Sequence, residues 1–559
     1  MRSSGRGQAV GAREEAVYAG LVGIALALLL RLPVLRGLRS TVPEDLGDPL
    51  LQTWQLSWGA HALTSQPLNP WDSNTFWPLE RSLAFSDALL GYAPIGVLFG
   101  DGVTAALARY NTLFLLAYAL SFTGTYLLAR QLGSSRLAGG AAGIAFAYAP
   151  WHFAQEGHLH VISAGGIPLA LALLARGHGY GGPGPVRPGL VLAGWAVAAW
   201  QVTLGFALGL QLAYLLLGLG VVFGILLLRR RKELPLTRRL VAAELGGGAL
   251  FAGVSLLFAW PYLQVAKDHP GAARTVGDLE LFSPPWRSYL TAPEDSWLWG
   301  DLHAGLREGL PFPPEMTLAV GGSLVVLAVA GLVAGSWPLR RRVGVGLTVL
   351  VLLVLGTGVQ GPFGGRFTYL PLFEHAPGFD GIRTPGRLVV PATLGLALLA
   401  AAGVDLARRV ARSNAAASLV IGALAIGMVL VESLGTTPTP EAPPLPAALD
   451  RAEGPLLVLP SDGFRDNWAM YWSSAGLYPI VNGNSGFTPD ALSQVRAEAA
   501  SFPDAGSVEL LRARGIEQVV LLPGYAGGSP WESAHLKPVD GLPVTRTEVG
   551  EAVVFDLTP

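Results

Sequence analysis

Long apolar stretches recur along this chain and set its architecture before any single residue is considered. A helix that crosses a bilayer needs about 20 largely apolar residues. Eleven segments approach that pattern, at 16–35, 107–130, 137–150, 161–176, 189–204, 205–228, 240–264, 316–335, 343–358, 388–405 and 415–434. A further apolar piece, 86–100, is short and broken by Gly91 and Pro94, which points to a re-entrant or interfacial segment. Beyond the last run lies TTPTPEAPPLP (436–446), a Pro-rich linker with little helix potential. After it, PLLVLP, QVVLLP and AVVFDL alternate with LSQVRAEAASF and SVELLRARG. Apolar runs of strand length between amphipathic helical ones predict a small α/β domain over 447–559. The expected fold class is a polytopic α-helical membrane protein with about 11–12 transmembrane helices. Its membrane domain takes residues 1–435, with a large first outer loop at 37–106, and no long internal repeat interrupts it.

Charge orients these spans. Arg130 and Arg136, the run Arg229, Arg230, Arg231, Lys232, Arg238 and Arg239, then Arg340 to Arg342, and then Arg408, Arg409 and Arg412 belong on the cytoplasmic side. The loops 151–160, 266–315 and 359–387 then lie outside, and the C-terminal α/β domain is extracytoplasmic. If 86–100 crossed fully, every later loop would flip and the Arg clusters would face outward, so eleven spans fit better than twelve. Arg2, Arg6 and Arg13 precede the first apolar run, and no small-residue cleavage pattern follows it. This predicts an uncleaved first span with a cytoplasmic N-terminus, in the inner (plasma) membrane of a bacterial cell. Composition agrees: 51% of residues are hydrophobic and 14% charged, against about 25% charged in soluble proteins. A net charge of −1 offers nothing to nucleic acid, and the absence of cysteine excludes disulfides, thiol catalysis and Cys-ligated metals.

Candidate chemistry gathers on the outer side. The stretch from Thr41 to Tyr92 carries Glu44, Asp45, Asp48, Asp72, Glu80 and Asp87 among Trp54, Trp58, Trp71 and Trp77. Asp48, in LGDPLL, is placed to act as general base for a hydroxyl acceptor or to hold a divalent metal; its bland role is to cap the helix that starts at Pro49. Asp87 reads equally as an N-cap, and Glu44 and Asp45 as a solvated acidic turn. WHFAQEGHLH, from Trp151, brings His152, Glu156, His158 and His160 to a helix mouth. His152 and Glu156 at i,i+4 would share a helical face, a weak metal pair; a polar rim for a substrate headgroup suits the group better. In the loop 266–315, Arg287, Tyr289 and Trp297 combine aromatic faces with charge, as sugar rings require. Arg383 and Arg387 stand on the outer side against the positive-inside tendency. They fit a bidentate hold on a phosphate, or snorkelling toward lipid headgroups.

The order of these features resembles the GT-C superfamily of integral membrane glycosyltransferases, especially bacterial members related to protein mannosyltransferases. The shared features are a first span, an outer loop opening on GDP at Gly47 to Pro49, SDALLGYAP, GHLHVISAGGIPLAL, and IRTPGR before a late span. The resemblance covers about residues 16–435. It implies that Asp48 is the base and that the donor is a sugar on a polyprenyl phosphate, held at the membrane lipid. Glu156 is then the nearest candidate for a second acid. The expected function is transfer of that sugar to an outer-face acceptor. The alternatives are a transporter or flippase of lipid-linked saccharide, or a non-catalytic membrane assembly protein.

Overall fold

In the computed structural model, residues 11–182, 185–230, 237–411, 414–450 and 452–558 are described. Arg2, Arg6, Arg231, Lys232 and Arg412, assigned above from charge, lie outside the described residues. Helix α1 (Ala12–Leu30) is the first apolar helix, and α2 (Asp48–Ser65) forms the spine of the long segment between it and the next. Then follow α3 (Val103–Gln131), α4 (Arg136–Ala147), α5 (Gly166–Gly177), α6 (Pro188–Leu204), α7 (Phe206–Arg230) and α8 (Arg238–Asp268). The bundle closes with α9 (Gly322–Ala334), α10 (Leu339–Gly356), α11 (Val389–Val410) and α12 (Ala415–Glu432). Each of the eleven apolar segments is thus helical, and the chain is a multi-pass membrane protein. Six stretches are long and apolar enough to cross alone: Val103–Gln131, Leu159–Gly177, Phe206–Ile225, Arg238–Asp268, Pro385–Val410 and Ala415–Glu432.

The others fall short for readable reasons. Helix α4 has 12 residues, or about 18 Å at 1.5 Å per residue. Eight of its 12 residues are Ala or Gly, and it is buried against α3, α11 and α12. Small residues permit that approach: a Cβ added to Gly143 would sit 2.7 Å from the Phe122 ring. The piece at 90–99 is a chain of three- and four-residue helical turns, Leu90–Tyr92, Ala93–Gly96 and Val97–Phe99.

The C-terminal unit holds β1 (Leu456–Leu459), α13 (Arg465–Ser473), α14 (Asp490–Glu498), α15 (Ala505–Ala513), β2 (Gln518–Leu521), β3 (Thr545–Val549) and β4 (Ala552–Asp556). The sheet order is β1-β2-β4-β3, with β1 parallel to β2 and the remaining pairs antiparallel. All three expected strands and both expected helices are present. Strand β3 and helix α13 are additions. The core of this unit runs without a break into the segment that carries α2: Trp54, Trp58, Phe76 and Phe85 pack with Leu457, Met470, Trp472 and Ile480. The Pro-rich linker is not slack either. Val42 and Glu44 donate to the carbonyls of Pro440 and Pro438 at 3.1 and 2.8 Å, and Ala442 donates to Ser40 at 2.8 Å. Proline has no N–H, and at positions 438 and 440 only the carbonyl is required.

Arg31, at the end of α1, is fully buried, and its Nε lies 2.5 Å from Glu156 Oε1. The guanidinium also stands over the rings of Tyr118 and Phe153 at 4.7 and 4.9 Å. This pair ties the first span to the mouth loop 150–158. Removing one partner leaves the other charge buried and unpaired, at a cost of about 3–5 kcal/mol. Thermal unfolding in lipid nanodiscs should therefore show Arg31→Met less stable than the double variant Arg31→Met/Glu156→Gln. Equal losses would show that the pair is not what anchors the loop.

Candidate active site

Asp48 is the first residue of α2, Gly47 is its N-cap, and no side chain caps the helix. The capping role considered for Asp48 is thus not the one it has. Its carboxylate instead lies 3.2 Å from His158 Nε2 and remains 43% open. His158 is set by two side chains of the first loop. Gln52 accepts the Leu159 N–H at 2.7 Å, and the Glu44 carboxylate accepts the Gly157 N–H. Glu44 itself has φ 70, a left-handed backbone unusual for a residue other than glycine. Its bond to Pro438 holds it there.

Behind this pair lies a buried network. Arg387 donates to both oxygens of Glu315, at 3.2 Å from Nε and 2.5 Å from Nη2, and its Nη1 is 3.0 Å from His160. The other ring nitrogen of His160 is 3.2 Å from Gln52. Asp87 stands 3.7 Å from His160 and accepts the Phe206 N–H at 2.6 Å, so it caps α7 from a distant loop. Arg383 lies over the Phe282 ring at 4.8 Å and makes no hydrogen bond or ion pair among the described residues. Arg274 is close enough for the two positive charges to oppose each other, and it donates to Gly486 at 2.9 Å.

The acids differ in character. Burial raises the Asp48 carboxyl, but the hydrogen bond and charge of His158, with Arg387 adding, outweigh it and hold Asp48 below the usual range. Burial lowers His158, and Asp48 more than reverses that, so the imidazole is raised. Burial pushes Glu44 up to about 8. Asp45 and Asp87 are also raised, by burial first. Glu315 is lowered: burial opposes ionisation, and Arg387 and His158 overcome it. One carboxylate is therefore both ionised and open, beside others that hold their protons more tightly.

Several expected contributors fall elsewhere. Glu156 is sealed against Arg31 and accepts from the Tyr118 hydroxyl at 3.0 Å, which leaves no surface for a substrate. His152 does not pair with Glu156 on an α-helix, because 150–155 is a 3₁₀ turn and His152 stacks on Trp151 at 3.7 Å. Arg287 is tied to the Glu308 carbonyl, Tyr289 to Leu353 and Trp297 to Thr436, and none of these bonds reaches the Asp48 group. Arg383 and Arg387 do not form a paired fork, since Glu315 already occupies that edge of Arg387. Among the described residues no group of three or more His, Asp or Glu is placed to hold a metal ion. Glu315, Gln52 and Arg274 were not foreseen; each is a single polar residue without a motif around it. A separate cavity of ≈ 190 Å³, lined by Phe76, Trp77, Leu492, Val495 and Arg514, contains none of this group.

Compared with solved structures, the chain is similar to the arabinofuranosyltransferase AftD from Mycobacteria, with a TM-score of 0.55 and 17% identity over 98% of this chain. The likeness is one of fold. The match takes in 40% of the mycobacterial protein, so the chain spans about two fifths of its length. Two others overlay more loosely. The oligosaccharyltransferase of Archaeoglobus fulgidus has a TM-score of 0.48 and 14% identity, over 91% of this chain and 68% of that one. ArnT from Cupriavidus metallidurans has a TM-score of 0.43 and 14% identity, over 97% and 98%. No protein-family model and no curated protein sequence matches the chain. Asp48 sits at the start of α2, against His158 of the loop that precedes α5.

The Glu44 carboxyl binds its proton more tightly in the folded chain than its ordinary value of 4.5 allows. Its contribution to stability is therefore complete below about 4.5 and lost as pH rises toward about 8. Glu44→Gln keeps an acceptor for the Gly157 N–H and removes the titration. Melting temperature followed from pH 5 to 9 should fall less steeply for Glu44→Gln than for the unmodified chain. Parallel curves would show that Glu44 does not titrate there.

Proposed function

We propose that this protein is a glycosyltransferase that moves a sugar from a polyprenyl-phosphate donor to an acceptor hydroxyl on the outer face of the membrane. The observation that carries this reading is the Asp48 carboxylate, ionised, 43% open and hydrogen-bonded to His158, with guanidinium groups across from it. The acceptor oxygen attacks the anomeric carbon while Asp48 takes its proton, and the sugar–phosphate bond breaks with its electron pair passing to the phosphate. His158 orients the carboxylate through the 3.2 Å bond and leaves the second oxygen for the acceptor. A base held below the usual range is weak toward a ground-state alcohol. It accepts the proton once bond formation has made the hydroxyl acidic.

Arg383, partly desolvated and without a hydrogen-bond or ion-pair partner among the described residues, supplies the charge for the leaving phosphate, and Arg274 is near enough for the two charges to oppose each other. Arg387 holds Glu315 and His160 in place and serves the site by position. This assigns the outer side to Asp48, the loop 359–387 and the C-terminal unit, and the cytoplasmic side to the N-terminus. It also makes the bilayer the source of the donor. The protein would work in the inner membrane.

Asp48→Asn keeps the size of the side chain and removes the base. Transfer from a radiolabelled polyprenyl-phosphate sugar should fall by roughly 10²–10⁴-fold, with melting temperature nearly unchanged. Full transfer by a stable Asp48→Asn protein would rule out this base. His158→Gln should move the acid limb of kcat/KM to higher pH, because the partner that keeps Asp48 ionised is gone; an unmoved limb would separate the two residues. Arg383→Ala should weaken donor binding by roughly 1.5–3 kcal/mol. Arg387→Ala should chiefly lower stability by stranding Glu315, and the opposite pattern would exchange the two roles.

A further inference from the structure

Helix α13 of the C-terminal unit packs along α2 and brings a second set of side chains to the Asp48 turn. A Cβ placed on Gly47 would stand 3.2 Å from Asp45 Oδ1, 3.6 Å from Phe464 Cε2 and 3.8 Å from Asn467 Nδ2. A carboxylate, an aromatic edge and an amide thus converge on one point, one residue from Asp48.

Each member is held and each has something unspent. Phe464 is 51% exposed and packs edge-on against Trp468 at 5.9 Å, whose indole N–H donates to Leu46 at 3.1 Å. Asn467 is 2% exposed, and its carbonyl accepts from Asn484 at 3.0 Å. Its own amide nitrogen donates to no group among the described residues, which leaves both of its N–H bonds for a ligand. One Asp45 oxygen accepts the Gly47 N–H at 2.7 Å, and the residue is exposed. At the edge, Arg465 and Asp462 pair at 2.6 Å with 33% and 43% of their side chains open.

We propose that Asp45, Phe464 and Asn467 form an acceptor subsite for a saccharide. It rests on the glycosyl-transfer reading for what Asp48 does with the bound hydroxyl. A sugar ring offers an apolar face to an aromatic side chain, and hydroxyls that donate to a carboxylate and accept from an amide N–H. An extended peptide would instead seek a free sheet edge or an apolar groove. The free edge here is β3, paired on one side only with β4; the Asp48 turn is faced by α13.

Binding tests this without requiring turnover. The full chain in nanodiscs is probed by saturation-transfer NMR with gluco-, manno- and arabino-trisaccharides, and with a Ser/Thr-containing hexapeptide. At least one trisaccharide should bind. Phe464→Ala should weaken that binding about tenfold, while Phe464→Tyr stays within about threefold, as loss and retention of an aromatic face imply. Phe464 is exposed, so its replacement leaves the fold intact; Asn467→Ala, read alongside a melting curve, should weaken the same ligand. No trisaccharide binding, preference for the hexapeptide, or Phe464→Ala binding equal to the unmodified chain would each overturn the subsite. Failure of the glycosyl-transfer reading looks different: trisaccharide binding persists with its Phe464 dependence, and Asp48→Asn does not alter donor turnover.

Discussion

A charge at the mouth of an apolar bundle must be matched or neutralised, and the end of the bundle that carries Asp48 is arranged around that requirement. An unpaired ion taken from water into such surroundings loses far more solvation than any one contact returns. Five carboxyl groups nonetheless gather there. Glu315 meets Arg387 on both oxygens, Asp87 is engaged by the first N–H of α7, Asp45 by Gly47, and Glu44 favours its protonated form. What remains is Asp48, with one histidine partner and an opening to solvent. The singling out of one carboxylate is the outcome of satisfying the others.

The same requirement reaches into the way the two ends of the chain are joined. The Asp48 turn depends on Glu44, Glu44 depends on a backbone bond to the Pro-rich linker, and that linker leads to a unit whose core is continuous with the segment around α2. The C-terminal residues therefore act on the geometry of the Asp48 turn, although more than 400 positions separate Leu46 from Trp468. A substitution in the linker would be felt at Glu44 first, because a left-handed non-glycine residue persists only where its surroundings over-determine it.

Pattern along the chain was enough for the helices, for strands β1, β2 and β4, and for Asp48 as a candidate. These are features that local periodicity or a single well-placed acid makes visible. Strand β3, TRTEV, is almost wholly exposed and shows no buried face to give it away. Helix α13, RDNWAMYWS, buries polar Asp466 and Asn467 along with its aromatics, so it lacks the apolar stripe that marks an amphipathic helix. The Arg387–Glu315 pair joins residues 72 apart, and Arg31–Glu156 crosses from one span to another loop. Charge partners at such distances leave no local trace, which is why Glu156 and Arg387 read as substrate-facing when each already had a partner.

The donor and acceptor halves of the proposed reaction meet in one short loop. Asn484 donates to Asn467, on the acceptor side, and Gly486, two residues on, accepts from Arg274, beside Arg383. Gly486 also donates to the Phe85 carbonyl, in the segment that leads to Asp87. A transfer between two bound molecules is fast only when the reacting atoms are held about 3–3.5 Å apart, and loose side chains on two separate domains would not maintain that distance. In the proposed reaction, the arginines of the donor side and the residues of the acceptor side are spaced by hydrogen bonds to the same few residues, 484–486. On that proposal, the folding of the C-terminal unit onto the loop that carries α2 is what sets the distance between donor and acceptor, and transfer at Asp48 depends on it as much as on the carboxylate itself.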